Sequence, residues 1–419
     1  MTKGDIIQAA FKVWGRGLYR NTSLSQVSEE LGVSKPALYR HFRNKQALLD
    51  AMYESFFDDY TGFIRPYYEK ALASPQESFR VIVQAMMKYY TQNGYAFTFS
   101  LINVWGNSMV RNMKEPLLKR GINMELLRCP VEKPQEASLW LFAVASLIFA
   151  VAHFHFKVYS AGKTLSDTLI DQFIASVTCI VSRGLNFNPA VLESLDYETL
   201  ENSVTGKIDQ IEEDPLLRGV AEAVAQAGPW KASMEMVARH SGLSKSGLYA
   251  HFKSKEEMMG QLFFTEFNRI VDFALKSQRN SAKPEEQFYL GIFSIAACLR
   301  SRPNILLAMD WLRTRRIDPA KFNLTSWEGR IFQDIHFPAD YGMSPEDDGL
   351  WIFRWIFFLI LTILMHDAFM EQGSWFSQKE GEEGAEACRF SLENFARIPN
   401  ESFRTLYRFI AFGVKGFYT

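Results

Sequence analysis

GVSKPALYRHF (Gly32–Phe42) and GLSKSGLYAHF (Gly242–Phe252) are nearly the same eleven residues, spaced by 210 positions. The match extends without a gap from Thr22–Leu48 against Ala232–Met258. Identical pairs include Ser23/Ser233, Val27/Val237, Gly32/Gly242, Lys35/Lys245, Leu38/Leu248, Tyr39/Tyr249, His41/His251 and Lys45/Lys255. An internal repeat of this kind decides the architecture before any single motif does.

The echo continues downstream. SPQESF (Ser74–Phe79) returns as KPEEQF (Lys283–Phe288), and the surroundings of Trp105 return around Trp311. Two apolar stretches, from Leu139 and from Leu350, both begin Leu-Trp and pair His155 with His366. The chain of 419 residues therefore reads as two copies of one unit of about 200 residues, an ordinary domain-pair length. The seam falls in the acidic segment Asn186–Pro215, which carries three helix breakers and one short stretch with helical spacing. A polar, glycine-rich insertion within Glu371–Arg397 reads as a loop.

Locally, the first copy opens with an amphipathic helix over Asp5–Trp14 that turns Ile6, Ile7, Ala10, Val13 and Trp14 inward, with Gly15 and Gly17 ending it. SLSQ (Ser23–Gln26) has the pattern of a capping box. The short helix after it buries Leu24, Val27 and Leu31. Gly32 then supplies the turn, and Ser34 is expected to cap a second short helix with Pro36 in its first turn. Asn44 is expected to cap a long helix starting at Lys45. Two short helices joined by a tight glycine turn make a helix-turn-helix, whose second helix enters the major groove.

Charge supports this reading. The whole chain has a formal net charge of −1, which excludes a polybasic binder. Residues 1–50 nevertheless hold eight Lys or Arg against four Asp or Glu, and residues 215–260 hold six against four. Positive charge is concentrated where phosphates would be met. Four widely spaced cysteines, Cys129, Cys179, Cys298 and Cys388, form no CxxC pair, which suits a reducing cytoplasm rather than a disulfide scaffold. No signal peptide is expected, and the apolar stretches are read as buried bundle helices rather than membrane spans. HExxH, GxSxG, P-loop and GxGxxG motifs are absent, so neither an enzyme nor a cofactor is expected.

The repeated Val/Leu-Ser-Lys-x-x-Leu-Tyr-x-His-Phe pattern, preceded by Ser23 or Ser233 and followed by Lys45 or Lys255, resembles the tetracycline-repressor family of bacterial regulators. The resemblance implies an all-α chain of two tandem units. Each would join a helix-turn-helix domain (1–50 and 215–260) to a larger helical ligand-binding and dimerisation domain (51–186 and 261–419), with 187–214 as linker. Family members are homodimers, so this chain is expected to be an intramolecular pseudo-dimer, functional as a monomer. It implies a double-stranded DNA operator and a small-molecule effector as partners. It also implies phosphate contacts from Thr22, Ser23, Tyr39, His41 and Lys45, and from Ser233, Tyr249, His251 and Lys255, with Lys35 and Lys245 on phosphate or base.

Base reading is expected at the positions that differ, which are Pro36, Ala37 and Arg40 against Ser246, Gly247 and Ala250. An operator with unlike half-sites follows. Candidates for lining an effector cavity are Phe97, Phe99, Trp105, Met109 and His155 in the first copy, and Met309, Trp311, Arg354 and His366 in the second. Taken singly, each reads first as a core or interface residue. Arg354, inside an apolar run, is open to an acidic ligand, to a carboxylate such as Asp310, or to solvent.

Overall fold

The computed structural model describes residues 2–16, 23–74, 77–101, 109–123, 134–161, 166–188, 190, 195–208, 214–252, 254–306, 308, 328–342, 348–370 and 398–414. Every described element is helical. The first copy contributes α1 (Lys3–Arg16), α2 (Leu24–Glu30), α3 (Lys35–Tyr39), α4 (Lys45–Ala73), α5 (Ser78–Gln92), α6 (Gly94–Phe99), α7 (Met109–Lys119), α8 (Pro134–Ala161) and α9 (Asp167–Arg183). A helix α10 (Tyr197–Ile208) follows in the seam. The second copy gives α11 (Pro215–Lys231), α12 (Met234–His240), α13 (Lys245–His251), α14 (Lys255–Gln278), α15 (Pro284–Ser301), α16 (Asp348–Met370) and α17 (Asn400–Phe412), with 3-10 turns at Glu328–Phe332 and Ala339–Tyr341. No helix among the described residues is long and apolar enough to cross a membrane. The insertion Glu371–Arg397 lies outside the described residues.

α1 buries Ile6, Ala10, Val13 and Trp14, while Ile7 sits half-buried on the flank. The helix runs through Gly15 to Arg16 instead of stopping at Trp14. One glycine near a helix end costs only about 1 kcal/mol, too little to break a helix whose apolar face is already packed. The capping box forms as the spacing requires. Ser23 Oγ accepts from Gln26 N at 3.3 Å, and Ser23 N donates to Gln26 Oε1 at 2.7 Å. Asn44 caps α4 through Ala47 N at 2.8 Å. Ser34 stands at the start of α3 but makes no side-chain cap bond, whereas Ser244 accepts from Gly247 N at 2.9 Å. Leu31 ends α2 half-exposed rather than buried.

The chain divides into two compact units that do not follow the repeat boundary. The first holds residues 1–134, 147–178 and 374–377; the second holds 135–146, 179–373 and 378–419. In the first unit, α4 and α5 bury Phe56, Tyr60, Tyr89 and Tyr90 in a continuous aromatic core. Arg120, just past α7, clasps α4 by donating to Asp58 Oδ1 at 2.7 Å and Glu54 Oε2 at 2.6 Å while lying over the Phe57 ring.

In the second unit, α15 is buried along Phe288–Leu299. α10 is bound to it through a buried carboxylate. Glu201 accepts from Tyr289 Oη at 2.6 Å, Asn400 Nδ2 at 2.7 Å, and Arg404 Nε and Nη2 at 2.7 and 2.9 Å. Burial alone would push this carboxyl up, but its donors hold it below the usual carboxylate range.

The first copy also supplies part of this unit. Phe142 of α8 packs on Phe409 of α17, and Trp355 of α16 donates to Ser146 Oγ at 2.8 Å. The end of α9 meets the end of α17 backbone to backbone: Leu185 N donates to Ile410 O at 2.8 Å and Phe187 N to Ala411 O at 3.1 Å. Gly184 and Gly413 sit at this crossing with φ +56° and +63°. A Cβ on Gly184 would fall 2.6 Å from Gly413 N, so no side chain fits there, and the left-handed φ itself favours glycine.

Candidate nucleic-acid interface

The two heads are built alike. Gly32 and Gly242 take φ +66° and +72°, with Gly32 N donating to Glu29 O and Gly242 N to Arg239 O. This left-handed turn swings the third helix of each head across the second. Leu38 and Leu248 are fully buried beneath that third helix, together with Val27 and Val237 of the second. Phe42 is buried, and Phe252 is half-buried.

With the leucine as floor, the opposite face of each short helix is presented outward. Lys35, Pro36, Tyr39 and Arg40 are exposed in the first head, as are Lys245, Ser246, Tyr249 and Ala250 in the second; Ala37 and Gly247 are half-exposed. The two tyrosines are 49% and 44% exposed. His41 and Lys45 are half-exposed at the base of this face. Ser23 and Ser233 lie exposed at the starts of α2 and α12, each engaged as a cap. Thr22 lies outside the described residues, and the side chains of His251 and Lys255 are likewise outside them.

The heads differ in detail. Ser246 Oγ lies 3.1 Å from Ser244 Oγ, so its hydroxyl is shared with the helix cap. His240 pins α12 to α11 through Glu222 and Gln226, both at 3.0 Å. Glu30, Lys12 and Arg16 stand at those positions in the first head. Two further residues join the outward face that motif matching does not single out. Arg43 is exposed beyond the third helix, and Leu243 is 40% exposed in the turn. Arg43 has a sequence signal, since a basic residue, Lys253, recurs at its position.

A positive, tyrosine-bearing helix face on a buried leucine floor, present twice, has the chemistry of a duplex-DNA reading head. Residues 6–52 and again 216–262 match the family described as bacterial regulatory proteins, tetR family. The tetR-family regulatory domain is thus present twice, in tandem, in this chain. Among similar proteins, the tetracycline repressor protein class G of Vibrio anguillarum is 28% identical over 103 residues, 25% of this chain and 42% of that protein. The tetracycline repressor protein class A from transposon 1721 of Escherichia coli is 44% identical over 58 residues, 13% of this chain and 27% of that protein. The chain thus spans less than half the length of either curated relative it matches.

The effector-lining candidates stand apart from the family match. Phe99 packs edge-on against Phe11 of α1 at 5.1 Å and against Tyr53 and Phe56 of α4 at 5.3 and 5.7 Å. Phe97 contacts Tyr90 at 5.8 Å and His155 at 5.7 Å. His155 Nε2 lies 2.8 Å from Tyr90 O. Burial pushes this imidazole below its ordinary value, so it is neutral and Nε2 carries the proton donated to the carbonyl. Arg354 is half-buried in α16. Trp105, Met309 and Trp311 lie outside the described residues, as do the side chains of Met109 and His366.

Proposed function

We propose that this chain is a one-component transcriptional regulator, a repressor, that grips one operator with both of its heads as a single-chain pseudo-dimer. The observation that carries this is the pair of matched outward faces, Lys35–Tyr39–Arg40 and Lys245–Tyr249–Ala250, each on a buried leucine. Support for an internal dimer comes from the second unit, where α8 and α9 of the first copy pack on α16 and α17 of the second. A homodimer would generate such an interface from two chains; here one chain supplies both sides.

In this reading Thr22, Ser23, Tyr39, His41 and Lys45, with Ser233, Tyr249, His251 and Lys255, hold phosphates. Lys35 and Lys245 serve phosphate or base. Pro36, Ala37 and Arg40 read one half-site, and Ser246, Gly247 and Ala250 read another, so the operator is not a strict palindrome. In-vitro selection with the full chain tests this. Unlike half-sites are expected, and enrichment of a strict palindrome would overturn it.

An apolar or aromatic effector among the later helices completes the reading. Phe97, Phe99, Trp105, Met109 and His155, and Met309, Trp311, Arg354 and His366, are its candidate lining. The close aromatic contacts of Phe97 and Phe99 support a second reading, a regulator without effector response. Release from DNA by a small molecule separates the two.

A further inference from the structure

The second unit contains a cavity of about 430 Å³ on the α10 side of α15. Its wall is amphipathic. Ile208 from the end of α10, Ala297 of α15 and Ile398 form the apolar part. Arg300, Ser301 and Asn400 form the polar part.

Arg300 is half-buried and held in one pose. Its Nη1 donates to Ile398 O at 2.8 Å and to Asn400 Oδ1 at 2.7 Å, and its guanidinium lies 5.6 Å over the Phe403 ring. Asn400 is itself fixed, because its Nδ2 donates to Glu201. Both Nη1 protons are thereby used. Nε and Nη2, the edge that matches a carboxylate bidentately, have no partner among the described residues. No carboxylate pairs with Arg300 among them, since Glu201 is taken by Arg404, Tyr289 and Asn400. Burial depresses this guanidinium against the weaker pull of the nearby Glu201 carboxylate, the reverse of its neighbour Arg404. A partly desolvated cation with an open fork beside an apolar hollow is suited to an organic anion.

We propose that this cavity binds a small organic carboxylate, its head on the Nε/Nη2 edge of Arg300 and its apolar body against Ile208, Ala297 and Ile398. None of its lining residues belongs to the outward faces of the two heads or to the aromatic core around Phe97. It is placed on the seam helix, whose end at Ile208 precedes the second head's first helix by seven residues.

Isothermal titration of the full chain, without DNA, tests it with hexanoate as probe and hexanol as the uncharged control. Saturable one-to-one binding of hexanoate is expected, with hexanol weaker by about tenfold or more. Arg300→Met should lose about tenfold or more in hexanoate affinity. Ser301→Glu, at an exposed position on the rim, should do the same by repulsion with little change in melting temperature, which covers the case in which Arg300→Met fails to fold. No saturable hexanoate binding on the order of 10 mM, or equal binding by hexanol, or unchanged affinity in a folded variant, would each overturn the proposal. Because no DNA is present, failure here leaves the operator reading untouched, and failure of operator binding leaves this one untouched.

Discussion

At the scale of single residues, the two outward faces share an exposed lysine and tyrosine and differ at Arg40 against Ala250. Tyr39 and Tyr249 are exposed and sit on buried leucines, so truncating them removes contacts without opening the core. Tyr39→Ala is expected to weaken binding to all DNA sequences similarly while shifting the melting temperature little; fluorescence anisotropy and calorimetry check the pair of outcomes. Arg40→Ala should instead relax preference at one base pair of one half-site, costing roughly 1–3 kcal/mol there, and leave the other half-site unchanged. Ala250 offers a methyl contact at most, so Ala250→Gly should alter selectivity far less.

His155 makes a different residue-scale prediction. Its folded pKa is depressed, so the folded state binds fewer protons than the unfolded chain. Its contribution to stability is full above the unfolded value, near 6.5, and is lost as pH falls from there towards the folded value. Denaturant melts between pH 7.5 and pH 5 should show this loss in the wild type, and a smaller loss in His155→Gln (about pH 5 is where the unfolded imidazole is charged).

At the scale of elements, local rules account for starts and turns better than for ends. The Ser23–Gln26 box and the left-handed Gly32 and Gly242 turns form where spacing alone puts them. Gly15 does not end α1, whose apolar face is already packed, and Ser34 does not cap α3 through its hydroxyl, since Pro36 offers no N–H and Ala37 N donates to the Ser34 carbonyl. The docking of α10 has no local signature. Glu201 looks like any helical glutamate in sequence, yet it is buried with four donated hydrogen bonds. Glu201→Leu should destabilise the protein by about 3 kcal/mol, since Arg404, Asn400 and Tyr289 would lose their acceptor; chemical denaturation measures it. Gly184→Ala should be at least as damaging, roughly 3 kcal/mol or more, because the added Cβ meets the backbone of α17 and the left-handed φ disfavours it.

At the scale of the molecule, repeats and compact units do not coincide. The first copy spends part of α8 and the end of α9 on the second unit. In the proposed single-chain pseudo-dimer, one chain makes both sides of the helical interface. Sedimentation is therefore expected to give a particle of about 48 kDa that still binds a complete operator, where an obligate dimer of chains would present four heads. Removing one cation proposed to hold phosphate, as in Lys45→Ala, should lower the slope of log affinity against log salt by about one.

The sequence by itself determined the all-helical class, the duplication, the two reading heads and the buried leucine floor beneath each. All of these follow from short-range spacing, where a period, a cap or a left-handed glycine leaves a mark on neighbouring positions. Only the tertiary structure decided that Glu201 anchors the seam helix, that Gly184 and Gly413 let two helix ends cross backbone to backbone, and that Arg300 keeps an open fork beside a cavity. Those facts join residues from 88 to 229 positions apart. Their cause is the meeting of surfaces in three dimensions, and burial, charge pairing and close approach leave no periodic signal along the chain.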